Sequence, residues 1–213
     1  MKTVVGALLN FRGAWEAMEP AMYREPHHKP PVHPVLYLKP ANTWRASGDT
    51  IVIPHGISEV EVGATLGVVM GTTAARVRRE DALRHVAGYV VVNDVTVPHE
   101  AVLRPPLKQK CRDGFCPMGE MVGANQIMNP DALELRAYVN GELRLVNTTA
   151  HLVRNVRQLI ADVSEFMSLR QGDVLLVGIP ENAPRARPGD HVAIEIDGVG
   201  RLENQFIGEG APT

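Results

Sequence analysis

The side chains that could do chemistry concentrate between residues 94 and 117, where the chain reads DVTVPHEAVLRPPLKQKCRDGFCP. Arg104 could hold a carboxylate of a diacid substrate, since a guanidinium binds carboxylates in a bidentate geometry. Lysines could hold the second carboxylate, and the candidates are Lys39, Lys108 and Lys110. The alternative interpretation is a solvated basic stretch.

Two further pairs lie in the same region. His99 and Glu100 could form an acid–base pair, but only in a loop, because adjacent residues of a strand point to opposite faces. Cys111 and Cys116 form a C-x4-C pair. We interpret them as reduced thiols of a cytoplasmic protein rather than as a disulfide or a zinc-binding pair.

Composition limits the class of protein. The chain has 213 residues, 45% hydrophobic and 22% charged, with a net charge of -2. These values indicate a soluble globular domain, and the small net charge argues against nucleic acid or a membrane as partner. The chain contains no apolar run of about 20 residues and no signal peptide pattern, so we expect a cytoplasmic location.

The elements that must position these residues are mostly strands. Apolar or β-branched runs bounded by Pro or Gly predict strands at 3–9, 35–39, 50–54, 65–71 and 89–97. Asn140-Gly141 and Asp197-Gly198 each separate two alternating segments, a pattern typical of β-hairpins.

Helices are fewer. One long helix is predicted after Thr148 or Thr149, which could cap it, because the apolar residues from Leu152 to Phe166 recur at a spacing of three or four. A short helix is predicted from Arg79 to Gly88. Residues 13–34, which contain His27 and His28, are predicted to form a Pro-rich solvated loop rather than a metal site. The sequence therefore predicts a strand-rich α+β domain with a rolled or barrel-like sheet.

Several motifs occur in a fixed order between Thr65 and Gly119: TLGVVMG, then VAGY, then NDV, then KQKCRDGFCP. In this order and spacing they resemble the core of the fumarylacetoacetate hydrolase family. The resemblance implies a mixed β-roll with one long helix. It also implies one domain, residues 1–213, with an N-terminal strand and a lid-like Pro-rich segment at 1–45 and a core at 46–213.

The resemblance implies a specific chemistry. Members of the family hold Mg²⁺ or Mn²⁺ between carboxylates and act on keto acids or 1,3-dicarbonyl compounds, whose enolate the metal stabilises. Asp94 occupies the position of the family's aspartate ligand, and Lys110 that of its lysine. On this resemblance Asp94 and Lys110 are the expected catalytic residues. Lys39 and Arg104 are the expected substrate-binding residues, because their positive charge suits the carboxylates of a diacid.

The family's other ligands are absent. Its two glutamates fall at Gly63 and Thr65, and its lid histidine falls at Ala14. Glu59 and Glu61 lie four residues early, roughly 13 Å along a straight strand, so we interpret them as surface charges unless the chain loops back. We therefore expect no metal ligand set and no tightly bound metal or other cofactor in this chain.

Within the family, VNDVTVPHE, LRPPLKQKCRDGFCPMGE and GVGRLEN resemble the branch that decarboxylates and isomerises dicarboxylates in 4-hydroxyphenylacetate breakdown. Members of this branch consist of two similar halves or two subunits, and the chain resembles the N-terminal half. The expected partners are a small dicarboxylate or keto-acid substrate and a homologous, metal-bearing subunit in a homo- or heterodimer. The alternatives are a non-catalytic partner subunit, or a metal-independent keto-acid enzyme that uses Lys110 and Asp94.

Overall fold

The computed structural model describes residues 3–25, 28–99 and 106–211. Strands predominate, in the order β1 (Val4–Leu8), β2 (Val35–Lys39), β3 (Trp44–Ala46), β4 (Thr50–Ile53), β5 (Val60–Glu61), β6 (Ala64–Met70), β7 (Val86–Asn93), β8 (Cys116–Met118), β9 (Val122–Gly123), β10 (Glu134–Val139), β11 (Glu142–Thr148), β12 (Val174–Leu176), β13 (Arg185–Ala186), β14 (His191–Ile196) and β15 (Gly200–Gly208). The α-helices are α1 (Arg12–Met22), α2 (Leu107–Lys110) and α3 (Val156–Phe166). Short 3-10 helices cover Ala41–Thr43, Arg79–His85, Ala124–Gln126 and Thr149–His151.

The larger sheet is rolled. Its strand order is β2-β1-β12-β6-β7-β8-β3, and β9 adds to β7. The two outermost strands of this order, β2 and β3, are consecutive in the chain and are joined by the Ala41–Thr43 turn, so the sheet curls until its ends approach each other. Its inner face is apolar and contains Val4, Val90, Val92, Cys116, Val174 and Leu176. The predicted strand-rich α+β class with a rolled sheet is confirmed.

A second sheet, β11-β10-β14-β15-β4, packs against the first. Strand β7 of the first sheet contacts β14 and β15 of the second, and a large apolar core fills the space between them. Helix α3 adds Leu159, Ile160 and Val163 to this core, each fully buried. Their 3–4 spacing gives the helix one apolar face, as the sequence predicts.

Both predicted hairpins are present. Strands β10 and β11 are antiparallel, and Asn140 and Gly141 between them have φ of 54° and 80°. Positive φ at both central residues is the requirement of a type I′ turn, which Asn-Gly meets at little steric cost. Strands β14 and β15 pair around Asp197-Gly198, where Gly198 has φ of 72°.

The prediction of a continuous loop over residues 13–34 is wrong. Helix α1 covers Arg12–Met22, and four prolines between residues 26 and 34 follow its end. Its first turns carry Ala14, Trp15 and Glu16, and alanine and glutamate are strong helix formers. His27 lies outside the described residues.

Two predicted helix boundaries also differ. Helix α3 begins at Val156, and its cap is Asn155, whose side chain accepts a hydrogen bond from the Gln158 backbone N–H at 2.9 Å. Thr148 instead caps the short 3-10 helix Thr149–His151.

The helix predicted to end at Gly88 is a 3-10 helix that ends at His85, and Gly88 belongs to β7. A Cβ at Gly88 would lie 2.1 Å from the Val122 carbonyl oxygen. Glycine is therefore required there by the close approach of β9 rather than by a helix end.

The helices in the described part of the chain are too short and too polar to cross a membrane.

Candidate functional site

Asp94 lies directly after strand β7, and the strands and helix around it supply its partners. Strand β2 contributes Tyr37 and Lys39, which point to the same face because they are two residues apart. Helix α2 contributes its last residue, Lys110. The curled sheet thus brings side chains from distant parts of the sequence to one carboxylate.

The Asp94 carboxylate is fully buried between two ammonium groups. Lys39 Nζ lies 2.6 Å from Oδ1, and Lys110 Nζ lies 2.8 Å from Oδ2. The Tyr37 hydroxyl donates a hydrogen bond to Oδ2 as well. Burial by itself raises the pKa of Asp94, but Lys110 and Lys39 outweigh it and hold the pKa below its ordinary value. The carboxylate is therefore ionised.

Lys39 is bound mainly to backbone. Its Nζ donates hydrogen bonds to the carbonyls of Val95, Lys110 and Phe115 at 2.9, 2.7 and 2.7 Å. An ammonium has three N–H donors, so these carbonyls use all of them. The 2.6 Å contact with Asp94 Oδ1 adds an ion pair to these three bonds.

Lys110 has a different environment. Its Nζ donates to Asp94 Oδ2 and, at 2.7 Å, to Thr96 Oγ1, and it lies 4.5 Å from the centre of the Tyr37 ring. Burial lowers the pKa of Lys110, Asp94 opposes that change, and Lys39 adds to it. The Tyr37 hydroxyl keeps its proton, because burial and the nearby Asp94 raise its pKa well above the ordinary value.

The buried cluster carries excess positive charge, since two lysines face one carboxylate. Such a site attracts an anion and repels a divalent cation. Within the part of the chain that the structure describes, no group of three or more His, Cys, Asp or Glu side chains is arranged to hold a metal.

Gly63 and Thr65, which occupy the positions of the family's two glutamates, also cannot serve as metal ligands. A Cβ at Gly63 would lie 2.3 Å from the Asp94 carbonyl oxygen and 2.8 Å from Ile179 Cδ1, so the backbone leaves no room for a longer side chain. Thr65 is buried, and its hydroxyl has no hydrogen-bond partner among the described residues. A hard dication prefers six or more oxygen ligands, and these residues cannot supply them.

Glu61 lies closer to the site than the sequence suggested. Its backbone pairs with Thr96, which brings residue 61 beside the segment that follows Asp94. The Glu61 side chain is half-buried and lines a cavity, so it is more enclosed than a solvated surface charge. Its carboxylate lies 3.3 Å from Arg185, while Glu59 pairs with Arg187 at 3.2 Å.

A cavity of about 250 Å³ opens beside Lys110. It is bordered by the end of β1, the start of α1, the segment after β7 and the segment after β12. The lining side chains that carry polar or ionisable groups are Glu61, Thr96, His99, Lys110 and Asn182. Ala14, at the position of the family's lid histidine, also lines it.

The structure therefore brings Asp94, Lys110 and Lys39 together, as the sequence suggested. Arg104 lies outside the described residues. Sequence reasoning missed Tyr37 and Thr96. A signal for Tyr37 was available, since it precedes Lys39 by two positions in a strand and so shares its face.

Comparison with known proteins identifies the family to which this chain belongs. Residues 3–207 match the model of the fumarylacetoacetate (FAA) hydrolase C-terminal family, and the chain belongs to that family. A curated relative is the 4-hydroxyphenylacetate degradation bifunctional isomerase/decarboxylase of Escherichia coli. It is 40% identical over 207 residues, which cover 97% of this chain and 47% of the relative. The chain thus spans about half the length of that relative.

Solved structures agree with this family. The 5-carboxymethyl-2-hydroxymuconate delta-isomerase from Mycobacterium smegmatis superposes with a TM-score of 0.84 at 28% identity, over 99% of this chain and 80% of that one. The fumarylpyruvate hydrolase from Pseudomonas aeruginosa, solved with Mn²⁺ and pyruvate, gives 0.86 at 25% identity, over 98% and 91%. A divalent metal therefore occurs in the family, although the residues of this chain do not fit one.

Proposed function

We propose that this chain is one component of an isomerase/decarboxylase of 4-hydroxyphenylacetate catabolism. The reactions would be decarboxylation of 5-carboxymethyl-2-oxo-hex-3-ene-1,7-dioate and isomerisation of 2-hydroxyhepta-2,4-diene-1,7-dioate. In this proposal a homologous subunit supplies the metal site, and this chain supplies a positively charged pocket and the shared fold. The assignment to the N-terminal half of the two-part relatives stays a prediction.

The observation that carries the proposal is the Asp94 cluster. In a metal site of this family the aspartate would face a dication, but here it faces Lys39 and Lys110 at 2.6 and 2.8 Å. The same excess of positive charge suits a substrate with carboxylates, because an ammonium attracts a carboxylate more strongly in a buried site than it does in bulk water. The pocket is therefore consistent with binding an organic dianion and inconsistent with binding a dication.

An assay of carbon dioxide release tests the proposal. The chain is assayed with Mn²⁺ alone and after mixing with the homologous chain from the same organism that carries both glutamates. We expect no release from this chain alone, and release from the mixture that exceeds the activity of the partner alone and that EDTA abolishes.

Metal-dependent release from this chain alone would contradict the proposal, because the chain would then contain a complete metal site. Two other outcomes would support the alternatives. Release that resists EDTA and is lost in Lys110→Met would favour a metal-independent keto-acid enzyme. A mixture no more active than the partner alone would favour a purely structural subunit.

A further inference from the structure

Helix α1 borders the cavity beside Lys110, and its first turn has no stabilising polar group of its own. Ala14 in this turn lines the cavity. The side chain of Phe11, the residue before the helix, makes no cap hydrogen bond, and the first turn contains no acidic residue. The first N–H groups of an α-helix lack intrahelical partners, and the helix dipole places partial positive charge there. A carboxylate from elsewhere in the chain would therefore stabilise this end of α1.

Glu181 places a carboxylate at this end of the helix. It belongs to the segment after β12 and lies between Pro180 and Asn182, which line the same cavity. A Cβ at Gly13, in the first turn of α1, would lie 2.2 Å from Glu181 Cδ and 2.5 Å from each of its carboxylate oxygens. Glycine at position 13 therefore leaves open the space that the carboxylate occupies.

The two carboxylate oxygens of Glu181 have different surroundings. Oε1 accepts a hydrogen bond from Asn147 Nδ2 at 3.3 Å, and Asn147 is itself held by the Thr148 backbone N–H, which donates to its Oδ1 at 2.8 Å. Oε2 is buried and accepts no hydrogen bond from the described residues. A buried carboxylate oxygen without a donor is costly unless positive charge lies nearby. The first turn of α1 provides such charge.

From this contact we propose that Glu181 is a positioning residue that holds the start of helix α1 in place as one wall of the cavity beside Lys110. The proposal rests on the proposed function, in which this chain supplies a pocket for a dicarboxylate, and it names a residue that keeps that pocket in shape. Glu181 joins α1 to the segment after β12, so these two walls keep their relative positions before a substrate binds. In this role Glu181 contacts no substrate and transfers no proton.

Hydrogen–deuterium exchange of α1 measures this role. Glu181→Gln removes the negative charge but keeps the size of the side chain and an oxygen that can accept from Asn147. We expect the backbone amides of residues 15–19, the first of which donates to the Phe11 carbonyl, to exchange about 5- to 30-fold faster, which corresponds to about 1–2 kcal/mol for a charge at a partly buried helix end. Amides of strand β7 should exchange at the wild-type rate, because the change acts on α1. The matched control is Glu165→Gln, which removes an exposed glutamate of α3 and should leave the exchange of α1 unchanged.

Gly13→Ala tests the contact from the other side. Alanine is a better helix former than glycine by about 1 kcal/mol, so this change ordinarily slows the exchange of a helix about fivefold. In the wild-type background the added Cβ displaces the carboxylate, which is the flexible end of a side chain, so we expect no slowing. In a Glu181→Ala background the space is free, and the full slowing should appear. The proposal is overturned if Glu181→Gln leaves the exchange of α1 unchanged, if β7 accelerates equally, or if Gly13→Ala slows exchange equally with and without Glu181.

The two proposals fail separately. The exchange experiment needs neither substrate nor partner, whereas the proposed function is judged by carbon dioxide release in the mixture with the homologous subunit. In that mixture Glu181→Gln should raise KM with little change in kcat, because the residue shapes the pocket and contacts no reacting atom, and a fall in kcat at unchanged KM would overturn the positioning role. The expected exchange pattern without release in the mixture would reject the proposed function only, and release with unaltered exchange in Glu181→Gln would reject the role of Glu181 only.

Discussion

Replacement of Lys39 by methionine should lower the free energy of unfolding by about 4 kcal/mol, close to the cost expected when a buried ion pair loses one partner. Lys39 donates to three buried carbonyls and contacts Asp94. A buried acceptor left without its donor costs about 1–3 kcal/mol, so three give roughly 3–9 kcal/mol. Removal of one partner of a buried ion pair costs about 3–5 kcal/mol. Both terms describe the same ammonium group and do not add, so we take a value within the range they share.

Urea unfolding measures this difference, followed by the fluorescence of Trp15 and Trp44. The matched control is Lys110→Met, which removes the other ammonium but leaves Lys39 with Asp94 and with all three carbonyls. We expect a smaller loss of about 2 kcal/mol for the control, since removal of its bonds to a carboxylate and to a hydroxyl also removes its repulsion of Lys39. In a chain of this length 1 kcal/mol corresponds to about 2–4 °C in Tm, so Lys39→Met should melt roughly 8–16 °C lower.

One result would refute this reasoning. If Lys39→Met unfolds at the wild-type urea concentration but binds a keto dicarboxylate such as 2-oxoadipate more weakly, Lys39 acts on the substrate and not on the fold. The sequence-based prediction of Lys39 as a substrate-binding residue would then be the better description.

Three further predictions concern the same region. Gly63→Ala should lose roughly 2 kcal/mol in urea unfolding, within the range for overpacking, whereas Gly119→Ala, whose added Cβ has no neighbour closer than 3.6 Å, should stay near wild type. Equal stability of the two variants would contradict the close approach. Burial and a nearby carboxylate raise the pKa of Tyr37, so the folded protein keeps a proton that the unfolded chain releases, and stability should fall as pH rises above about 10. Tyr37→Phe should lose that part of the slope in urea titrations at several pH values, and an unchanged slope would argue against a buried phenol. Burial raises the pKa of Cys116 to about 12, so a thiol reagent at pH 8 should label the half-buried Cys111 in the native protein and both thiols only in urea. Fast native labelling of Cys116, counted by mass spectrometry, would show that this thiol is accessible.

Local sequence patterns predicted much of the fold. The Asn140-Gly141 hairpin and the apolar face of α3 follow from rules that involve neighbouring residues only. Helix α1 was missed because the prolines from residue 26 onward were taken to describe the whole stretch from residue 13. Proline restricts its own position and the residue before it, so the prolines from residue 26 onward do not prevent a helix that ends at Met22, and this helix itself contains Pro20.

The site depended on contacts that a linear pattern does not contain. Asp94 and Lys110 were predicted from motif order, but the partners of Lys39 are carbonyls 56 to 76 residues away. Glu61 was placed too far from the site because a straight strand was assumed, whereas residue 61 pairs with Thr96 in the structure. The lack of room for a side chain at Gly63 could not be predicted from the sequence either, because it depends on the position of the Asp94 carbonyl in the folded chain.

The three carbonyl bonds of Lys39 have a consequence for how the chain reaches its native state. They join β2 to segments made much later in synthesis, with separations of 56, 71 and 76 residues. Strand β2 can pair with β1 earlier, but until those segments arrive the ammonium at its end has none of its three carbonyl partners. Closing such long loops is entropically costly and slows folding. We therefore expect the Lys39 ammonium to leave water late in folding. Once it is buried, the β2 end of the rolled sheet cannot open without exposing this cation and the three carbonyls that it binds.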